Sequence, residues 1–221
     1  MSGTITYYTK EPVLMDEAYE GILAQLDSEN IMNAALEILY RDEAGLKQGP
    51  ARSYDLGTKK RIAAGSYKDG NRDGEWKRFD AFTGNCILQG NYKDDKKDGE
   101  WRQFHPATGK CTVQGNYKDG NLNGEWQLFD ATTGKCTFQG NYKDNKLNGE
   151  WREFHPATGK LTHIAIYKDG ALEKDLTDTL KWIAFCDSAK AILGVKVDRT
   201  VEQLNDDQLK AVRKKAGLQP V

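Results

Sequence analysis

The sequence has few of the residues from which metal and catalytic sites are usually built. It holds three histidines and four cysteines, and no two cysteines form a C-x2-C pair. Zinc sites usually contain such pairs, so we expect neither a metal nor another cofactor. A phosphate-binding glycine loop, a G-x-S-x-G nucleophile elbow, an H-E-x-x-H motif and a dinucleotide fingerprint are also missing. We therefore predict that the protein is not an enzyme.

The chain also lacks an excess of either charge and any long apolar run. It carries 32 basic and 33 acidic residues, which gives a formal net charge of −1. Such a balance provides no general attraction to nucleic acid or to an anionic membrane. The longest apolar stretch, around Trp182 to Cys186, is far shorter than the roughly 20 residues that cross a bilayer. Because no basic segment followed by an apolar run opens the sequence, we expect a cytoplasmic protein without stable membrane insertion.

The sequence does contain a repeat with a fixed period of 25 residues. The repeated positions are Gly49, Gly74, Gly99, Gly124 and Gly149; Trp76, Trp101, Trp126 and Trp151; Tyr67, Tyr92, Tyr117, Tyr142 and Tyr167; and Phe79, Phe104, Phe129 and Phe154. Self-similarity at this spacing is typical of a repeat array, in which each unit contacts mainly its neighbours.

Each unit is predicted to form a β-hairpin. The segment GNYKD alternates as a strand, an Asn/Asp/Gly cluster suits a hairpin turn that needs positive φ, and GEWxxF forms the return strand. Alternation places Cys111, Val113, Gly115 and Tyr117 on one face, and Thr112, Gln114 and Asn116 on the other. The predicted fold is mainly β: a single-layer antiparallel β-meander of 25-residue hairpin repeats, with about ten strands and helical N- and C-terminal caps.

The N-terminal part of the chain has a helical pattern. Apolar residues at Met15, Tyr19, Ile22, Leu23 and Leu26 follow the spacing of an amphipathic helix. Two interpretations of residues 35–41 remain open: a second helix capped by Ser28, or the first strand of the array, because YRDEAGLKQG resembles YKDGNLNG with a two-residue insertion.

Helical spacing returns after the array, at Leu176, Leu180, Ile183 and Ala184. We therefore expect three parts: an N-terminal helical segment over residues 1–46, the β-repeat array over 47–172, and a C-terminal helical cap over 173–221.

The cysteines are expected to be reduced. Cys86, Cys111 and Cys136 hold one phase of successive repeats, which places neighbours roughly 9.5 Å apart if two strands separate them. A disulfide needs Cα atoms within about 7 Å. Cys186 lies in a predicted helix, and we expect all four thiols to be free.

Two rows of polar residues invite a catalytic interpretation. The aspartates Asp69, Asp94, Asp119, Asp144 and Asp169 are expected to open turns, with their carboxylates bonded to backbone N–H groups. The row Asp80, His105, Asp130 and His155 repeats at roughly 9.5 Å, whereas nucleophile–base chemistry needs about 3 Å. We expect these residues to cap turns, and keep an enzyme that uses the row as an alternative. His163 is expected to be a partly buried single histidine.

The aromatic rows and the positions that vary between units suggest a binding surface. Acidic residues stand beside each Trp and Tyr, which argues against stacking of nucleobases and so against a nucleic-acid partner. Short helical ends cannot cover both faces of a long sheet, so some aromatic area should remain for a protein partner. The expected partner-binding residues are Trp76, Trp101, Trp126, Trp151, Arg102, Gln127 and Arg152, with Trp and Arg as anchors.

The unit YKDGNLNGEWxxF resembles the MORN-type repeat as it occurs in the YwqK-like antitoxin family. Tyr117, Gly120, Gly124 and Phe129 occupy the places of its Tyr-x-x-Gly-x-x-x-Gly-x-x-x-x-Tyr pattern, and the resemblance covers about residues 49–170. The period is slightly longer here, and Asp95 and Asn145 replace Gly120 in alternate units. The resemblance implies an antitoxin or immunity protein that neutralises a toxin or effector by binding it. The alternative is a general protein-interaction or membrane-associated scaffold.

Overall fold

The computed structural model describes residues 4–9, 19–22 and 34–178. These residues form one open sheet of 14 strands and a helical turn at residues 19–22. The strands are β1 (Thr4–Thr9), β2 (Ala35–Arg41), β3 (Lys47–Asp55), β4 (Lys60–Lys68), β5 (Asn71–Arg72), β6 (Gly74–Phe79), β7 (Cys86–Lys93), β8 (Lys96–Phe104), β9 (Cys111–Lys118), β10 (Asn121–Phe129), β11 (Cys136–Lys143), β12 (Lys146–Phe154), β13 (Leu161–Lys168) and β14 (Ala171–Asp175).

The strands follow one another across the sheet in chain order. From β2 onward every pairing is antiparallel, while β1 pairs with β2 in parallel and the short β5 pairs with β4 beside the main path. The predicted mainly β meander is therefore confirmed. The predicted number of strands was too low, because β1, β2 and β14 lie outside the well-formed repeats.

The helical caps are not supported, and the first 46 residues are not a helical segment as a whole. Ala35–Arg41 is strand β2, which decides between the two interpretations left open by the sequence. Leu36 and Leu39 are both fully buried although they point to opposite faces. A strand with apolar residues on both faces has the same local pattern as a buried helix, so periodicity alone could not distinguish them.

The chain remains a strand beyond the predicted start of the C-terminal cap, since β14 extends to Asp175. Residues 177–178 are helical. The helices predicted from Leu180 onward lie outside the described residues. Among the described residues, no helix is long and apolar enough to cross a membrane.

A compact apolar cluster covers one face of the sheet at strands β2 and β3. The helical residues Tyr19 and Ile22, each 6% exposed, pack on Leu36, Ile38, Tyr54 and Leu56. The rings of Tyr19 and Tyr54 stack with centroids 3.8 Å apart. Both helical residues belong to the amphipathic stripe predicted from Met15, and so the described part of that helix buries the predicted face.

The hairpin turns between GNYKD and GEWxxF have left-handed backbone at both central residues. In one of them Asp119 has φ 52° and Gly120 has φ 87°, as a type I′ turn requires. The five aspartates of the first row, Asp69, Asp94, Asp119, Asp144 and Asp169, all have φ between 49° and 52°. The prediction that they lie in turns is confirmed. The predicted backbone N–H donors are not the partners seen at Asp69 and Asp144, whose carboxylates accept from the side chains of Gln48 and Asn123 respectively.

The tips of successive hairpins are tied together. The backbone N–H of Gly120 donates to the carbonyl of Lys97 at 2.9 Å, and that of Asn145 donates to the carbonyl of Leu122 at 3.0 Å. Each tip is therefore fixed by the preceding one. The three cysteines in the repeats, Cys86, Cys111 and Cys136, are free as predicted, while Cys186 lies outside the described residues.

Candidate functional site

The predicted site residues lie on two opposite faces of the sheet. Trp101 stands opposite Gly90 and Gly115 on the neighbouring strands, and Arg102 stands opposite Gln89 and Gln114. Adjacent residues of a strand point in opposite directions. Trp101 and Arg102 therefore lie on opposite faces of the sheet, and their expected role in binding a partner stays a prediction.

The aromatic face carries the four tryptophans over glycines. The indole of each covers the glycine of the preceding strand: Trp76 over Gly65, Trp101 over Gly90, Trp126 over Gly115 and Trp151 over Gly140. A Cβ atom at these glycines would come within 2.0–2.6 Å of the ring, closer than van der Waals contact allows. The pair of glycine and tryptophan is therefore a packing unit.

Tyrosines and cations fill the space between the indoles. Tyr92 and Tyr117 meet Trp101 edge-on, with ring centroids 4.9 and 6.2 Å away. The Lys97 ammonium lies 4.5 Å from the Trp101 ring and 4.6 Å from the Tyr117 ring. Burial, with a smaller effect of Arg72, lowers the pKa of Lys97, and burial raises the pKa of Tyr117.

Two of the indole N–H groups on this face donate to backbone carbonyls. Trp76 donates to the carbonyl of Ser66 at 3.0 Å, and Trp101 donates to the carbonyl of Asn91 at 3.1 Å. Trp101 is only 4% exposed. Trp76 and Trp101 therefore use their polar edges, as well as their rings, within the protein.

The opposite surface, the polar face, presents one unbroken row of long polar side chains. Seven residues on seven successive main-path strands stand directly opposite one another, and we call them the polar row: Lys77, Gln89, Arg102, Gln114, Gln127, Gln139 and Arg152. The sequence prediction identified Arg102, Gln127 and Arg152 but missed the glutamines between them. The 25-residue repetition of Gln89, Gln114 and Gln139 in the sequence was the available signal.

Glutamates on the same face hold the polar row in place. Glu100 lies 2.8 Å from Arg102 and accepts from Gln114 at 2.5 Å. Glu125 accepts from both Gln127 and Gln139, at 2.9 and 2.6 Å. Two further ion pairs join glutamates to basic residues of the row: Glu75 with Lys77 and Glu150 with Arg152. The glutamates thus bond to basic or amide side chains two positions along the same strand and to glutamines of the neighbouring strand.

A shallow recess opens at one end of the polar row. Its volume is about 230 Å³, and Gln139, Asn141, Glu150 and Arg152 line it. Arg152 is bonded to Glu150 within this recess. Ionic and amide groups thus meet in one recess.

The row of Asp80, His105, Asp130 and His155 caps turns, as predicted. Asp80 accepts from the backbone N–H of Thr83 at 2.8 Å, and His105 Nδ1 accepts from that of Thr108 at 3.3 Å. Hydrogen bonds from Thr83 and Thr133 lower the pKa values of Asp80 and Asp130 respectively. Each of the four side chains therefore accepts a hydrogen bond from a backbone N–H group within its own turn.

His163 has charged neighbours that the sequence did not predict. Its Nδ1 lies 3.5 Å from Glu153, and its Nε2 lies 3.5 Å from Asp175 on the last strand. Within the described ranges, no three His, Cys, Asp or Glu side chains are grouped so as to hold a metal. Asp175 lies beyond the last full repeat, so no periodic signal connects it to His163.

No family model and no curated protein matches the chain. Among solved structures, the crystal structure of TarM is 14% identical and covers 79% of this chain, with a TM-score of 0.25. A mutant of S. aureus TarM in complex with Fondaparinux, alpha-GlcNAc-glycerol and UDP is 13% identical over 81% of this chain, with a TM-score of 0.26. The GtfA/B complex bound to UDP and GlcNAc is 12% identical over 90%, with a TM-score of 0.21. This chain spans 26%, 35% and 43% of those chains respectively. At TM-scores this low, the similarity supports no inference about fold or function.

Proposed function

We propose that the protein is a non-catalytic scaffold that binds a protein partner through the polar row. The observation that supports this most directly is the register: seven polar side chains stand in line across seven strands, with glutamates beside them. The row lies on the face that the aromatic packing units do not use. We propose that its contact residues include Arg102, Gln127 and Arg152, while Trp76, Trp101, Trp126 and Trp151 support the sheet.

The size of this surface suits a protein partner. Seven strands at about 4.8 Å spacing extend over about 29 Å. A strand of eight residues, such as β9, is about 27 Å long. The resulting area of about 800 Å² equals what one side of a standard protein–protein interface buries.

The order of the side chains before binding also favours association. Arg102 and Gln114 share Glu100, and Gln127 and Gln139 share Glu125. Side chains already held in one geometry lose less conformational entropy when a partner binds. A flat surface with alternating amide, cationic and carboxylate groups offers hydrogen bonds in a fixed pattern, which favours specificity.

The finer proposal is that the partner is a toxin or effector and that this chain acts as its antitoxin or immunity protein in the cytoplasm. Its support is the resemblance of YKDGNLNGEWxxF to repeats of the YwqK-like family. A growth test examines it: a host protein that binds this chain should arrest growth when expressed alone and should not do so when both are expressed. A partner that is harmless alone would leave a general interaction scaffold.

A comparison of the two faces tests the binding surface. The variant Arg102→Ala/Gln127→Ala/Arg152→Ala should lose the partner recovered with the parent chain from the native host. The matched control is Arg78→Ala/Gln103→Ala, two exposed residues on the aromatic face. Loss of binding in the control alone would place the site on the aromatic face, and absence of any protein partner of the parent chain would refute the proposal.

A further inference from the structure

In the part of the chain that the structure describes, strand β1 is the first strand of the sheet and forms one of its edges. Among the described residues, Thr4–Thr9 pairs with β2 alone, in parallel register from Thr4 opposite Ala35 to Thr9 opposite Tyr40. The backbone N–H and C=O groups that point away from β2 have no strand beside them in that part of the chain. Such a row of unpaired groups is a template for another strand.

The two edges of the sheet differ in composition. The sequence of β1 is TITYYT, which has no charge and no proline. The opposite edge, β14, reads ALEKD and carries three consecutive charges at Glu173, Lys174 and Asp175. Natural edge strands avoid pairing by means of charges, proline or bulges. Strand β14 has this protection, and β1 does not.

Large apolar side chains are exposed along β1 on both faces of the sheet. Ile5 is 38% exposed, and Tyr7 and Tyr8 are each 43% exposed. Ile5 and Tyr7 stand opposite Leu36 and Ile38 on the polar-face side, while Tyr8 stands opposite Leu39 on the aromatic-face side. A strand added at this edge would cover these side chains as well as the backbone groups.

We propose that β1 is a dimerisation edge that pairs antiparallel with β1 of a second copy of this chain. In an antiparallel pair, residues directly opposite point to the same face. A twofold axis perpendicular to the sheet at Thr6 or Tyr7 satisfies this condition. With the axis at Thr6, Ile5 meets Tyr7 of the other copy; with the axis at Tyr7, it meets Thr9. Pairs of aromatic and β-branched residues across strands are favourable.

Symmetry favours a second copy over the other edge as the occupant. A twofold pair covers both uncharged edges at once and closes the assembly. Pairing β1 with β14 of another copy would set the charged segment Glu173–Asp175 against an uncharged strand and would generate an open filament. The perpendicular axis also places the polar faces of both copies on the same side. The β1 edge is separate from the polar row, so the proposed dimer does not depend on the proposed function.

Charge substitutions at the axis test the dimer. By light scattering after size exclusion, the parent chain should be a dimer at micromolar concentration. With the axis at Thr6, Thr6→Lys should raise the dissociation constant by about two- to fivefold because like charges then face each other across the axis; with the axis at Tyr7, Tyr7→Lys should do so. Thr6→Glu should do the same as Thr6→Lys, and an equimolar mixture of these two Thr6 variants should regain a dimer. The matched control is Leu172→Lys on β14, where an exposed apolar residue is replaced at the opposite edge and the dimer should persist.

Cross-linking gives a readout that does not depend on a disruptive charge. Opposite Cα atoms in an antiparallel pair lie about 4.5–5.5 Å apart, within disulfide range. Thr6→Cys or Tyr7→Cys should therefore form a covalent dimer under mild oxidation, while the parent chain and Leu172→Cys should not. A monomeric parent chain throughout the micromolar range, failure of both cysteine variants to cross-link, or loss of assembly in Leu172→Lys would each overturn the proposal.

Discussion

The indole of Trp126 lies directly over Gly115, and a Cβ atom on that glycine would come within 2.0 Å of the ring. The same relationship recurs 25 residues earlier and later along the chain. Glycine is therefore needed at these strand positions because a side chain from the next strand occupies the space above it. The positions are sterically coupled, and the first prediction follows from that coupling.

Gly115→Ala should lower the free energy of unfolding by about 2–3 kcal/mol, as overpacking of a filled site does. In the background of Trp126→Ala, the same substitution should cost less than about 0.5 kcal/mol, because the space is then empty. Urea denaturation followed by circular dichroism measures both. Equal costs in the two backgrounds would mean that the indole is not what excludes a side chain at residue 115.

Lys59 adopts left-handed backbone, with φ 57°, although lysine has no special tolerance for it. Lys59→Gly should raise the free energy of unfolding by about 1 kcal/mol, because the strain of a left-handed residue is removed. The control is Lys68→Gly at an exposed strand end, which should lower it by about 0.5–1 kcal/mol. Thermal denaturation of both variants checks the opposite signs, and a destabilised Lys59→Gly would contradict the explanation.

Acid should weaken the turns that contain Asp80 and Asp130. Hydrogen bonds from Thr83 and Thr133 lower the pKa values of these carboxyl groups below their ordinary value of 3.8. A group with a lowered folded-state pKa stabilises the protein above its unfolded-state pKa, and this contribution is lost as the pH falls through the folded-state pKa. The Tm should therefore fall as the pH drops below about 4, and less steeply in Asp80→Asn/Asp130→Asn. Identical slopes for parent and variant would exclude these two turns as the cause.

The thiol of Cys111 should react slowly in the native protein. Burial raises the pKa of this thiol, so less thiolate is present at neutral pH, and the thiolate is the nucleophile. Alkylation by iodoacetamide, followed by peptide mass spectrometry, should be slower at Cys111 in the native state than in urea. Equal rates would show that this residue is open to solvent.

Much of the repeat architecture could be predicted because it depends on local rules that the sequence states repeatedly. The 25-residue period gave the hairpins, and the Asp-Gly segments gave turns with positive φ, as at Asp119 and Gly120. The ends were harder. Strand β1 pairs in parallel with β2, about thirty positions further along the chain, and a single parallel pairing over such a separation leaves no periodic signal.

The candidate site was predicted less well than the fold. Arg102, Gln127 and Arg152 do lie in one row, but the tryptophans lie on the other face. The two-residue periodicity of a strand already separates Trp101 from its neighbour Arg102. The sequence interpretation grouped them by residue type, as interface anchors, instead of by strand face. The hydrogen bond that Glu125 accepts from Gln139 on the neighbouring strand required the register between strands, which a period alone does not give.

The Gly–Trp units also give the array a direction and a limit. Each tryptophan covers a glycine of the strand before it, so every unit supplies the glycine over which the tryptophan of the next unit packs. At the last hairpin both members of this pair are replaced. Ala165 is fully buried where earlier units have glycine, and Asp175 stands opposite it where a tryptophan would lie. At the first hairpin, Leu39 and Ala51 exchange the large and small partners. A longer version of this protein would therefore be obtained by inserting whole 25-residue units between Gly65 and Trp151, where each tryptophan packs over a glycine. Units added after Ala165 would lack that glycine.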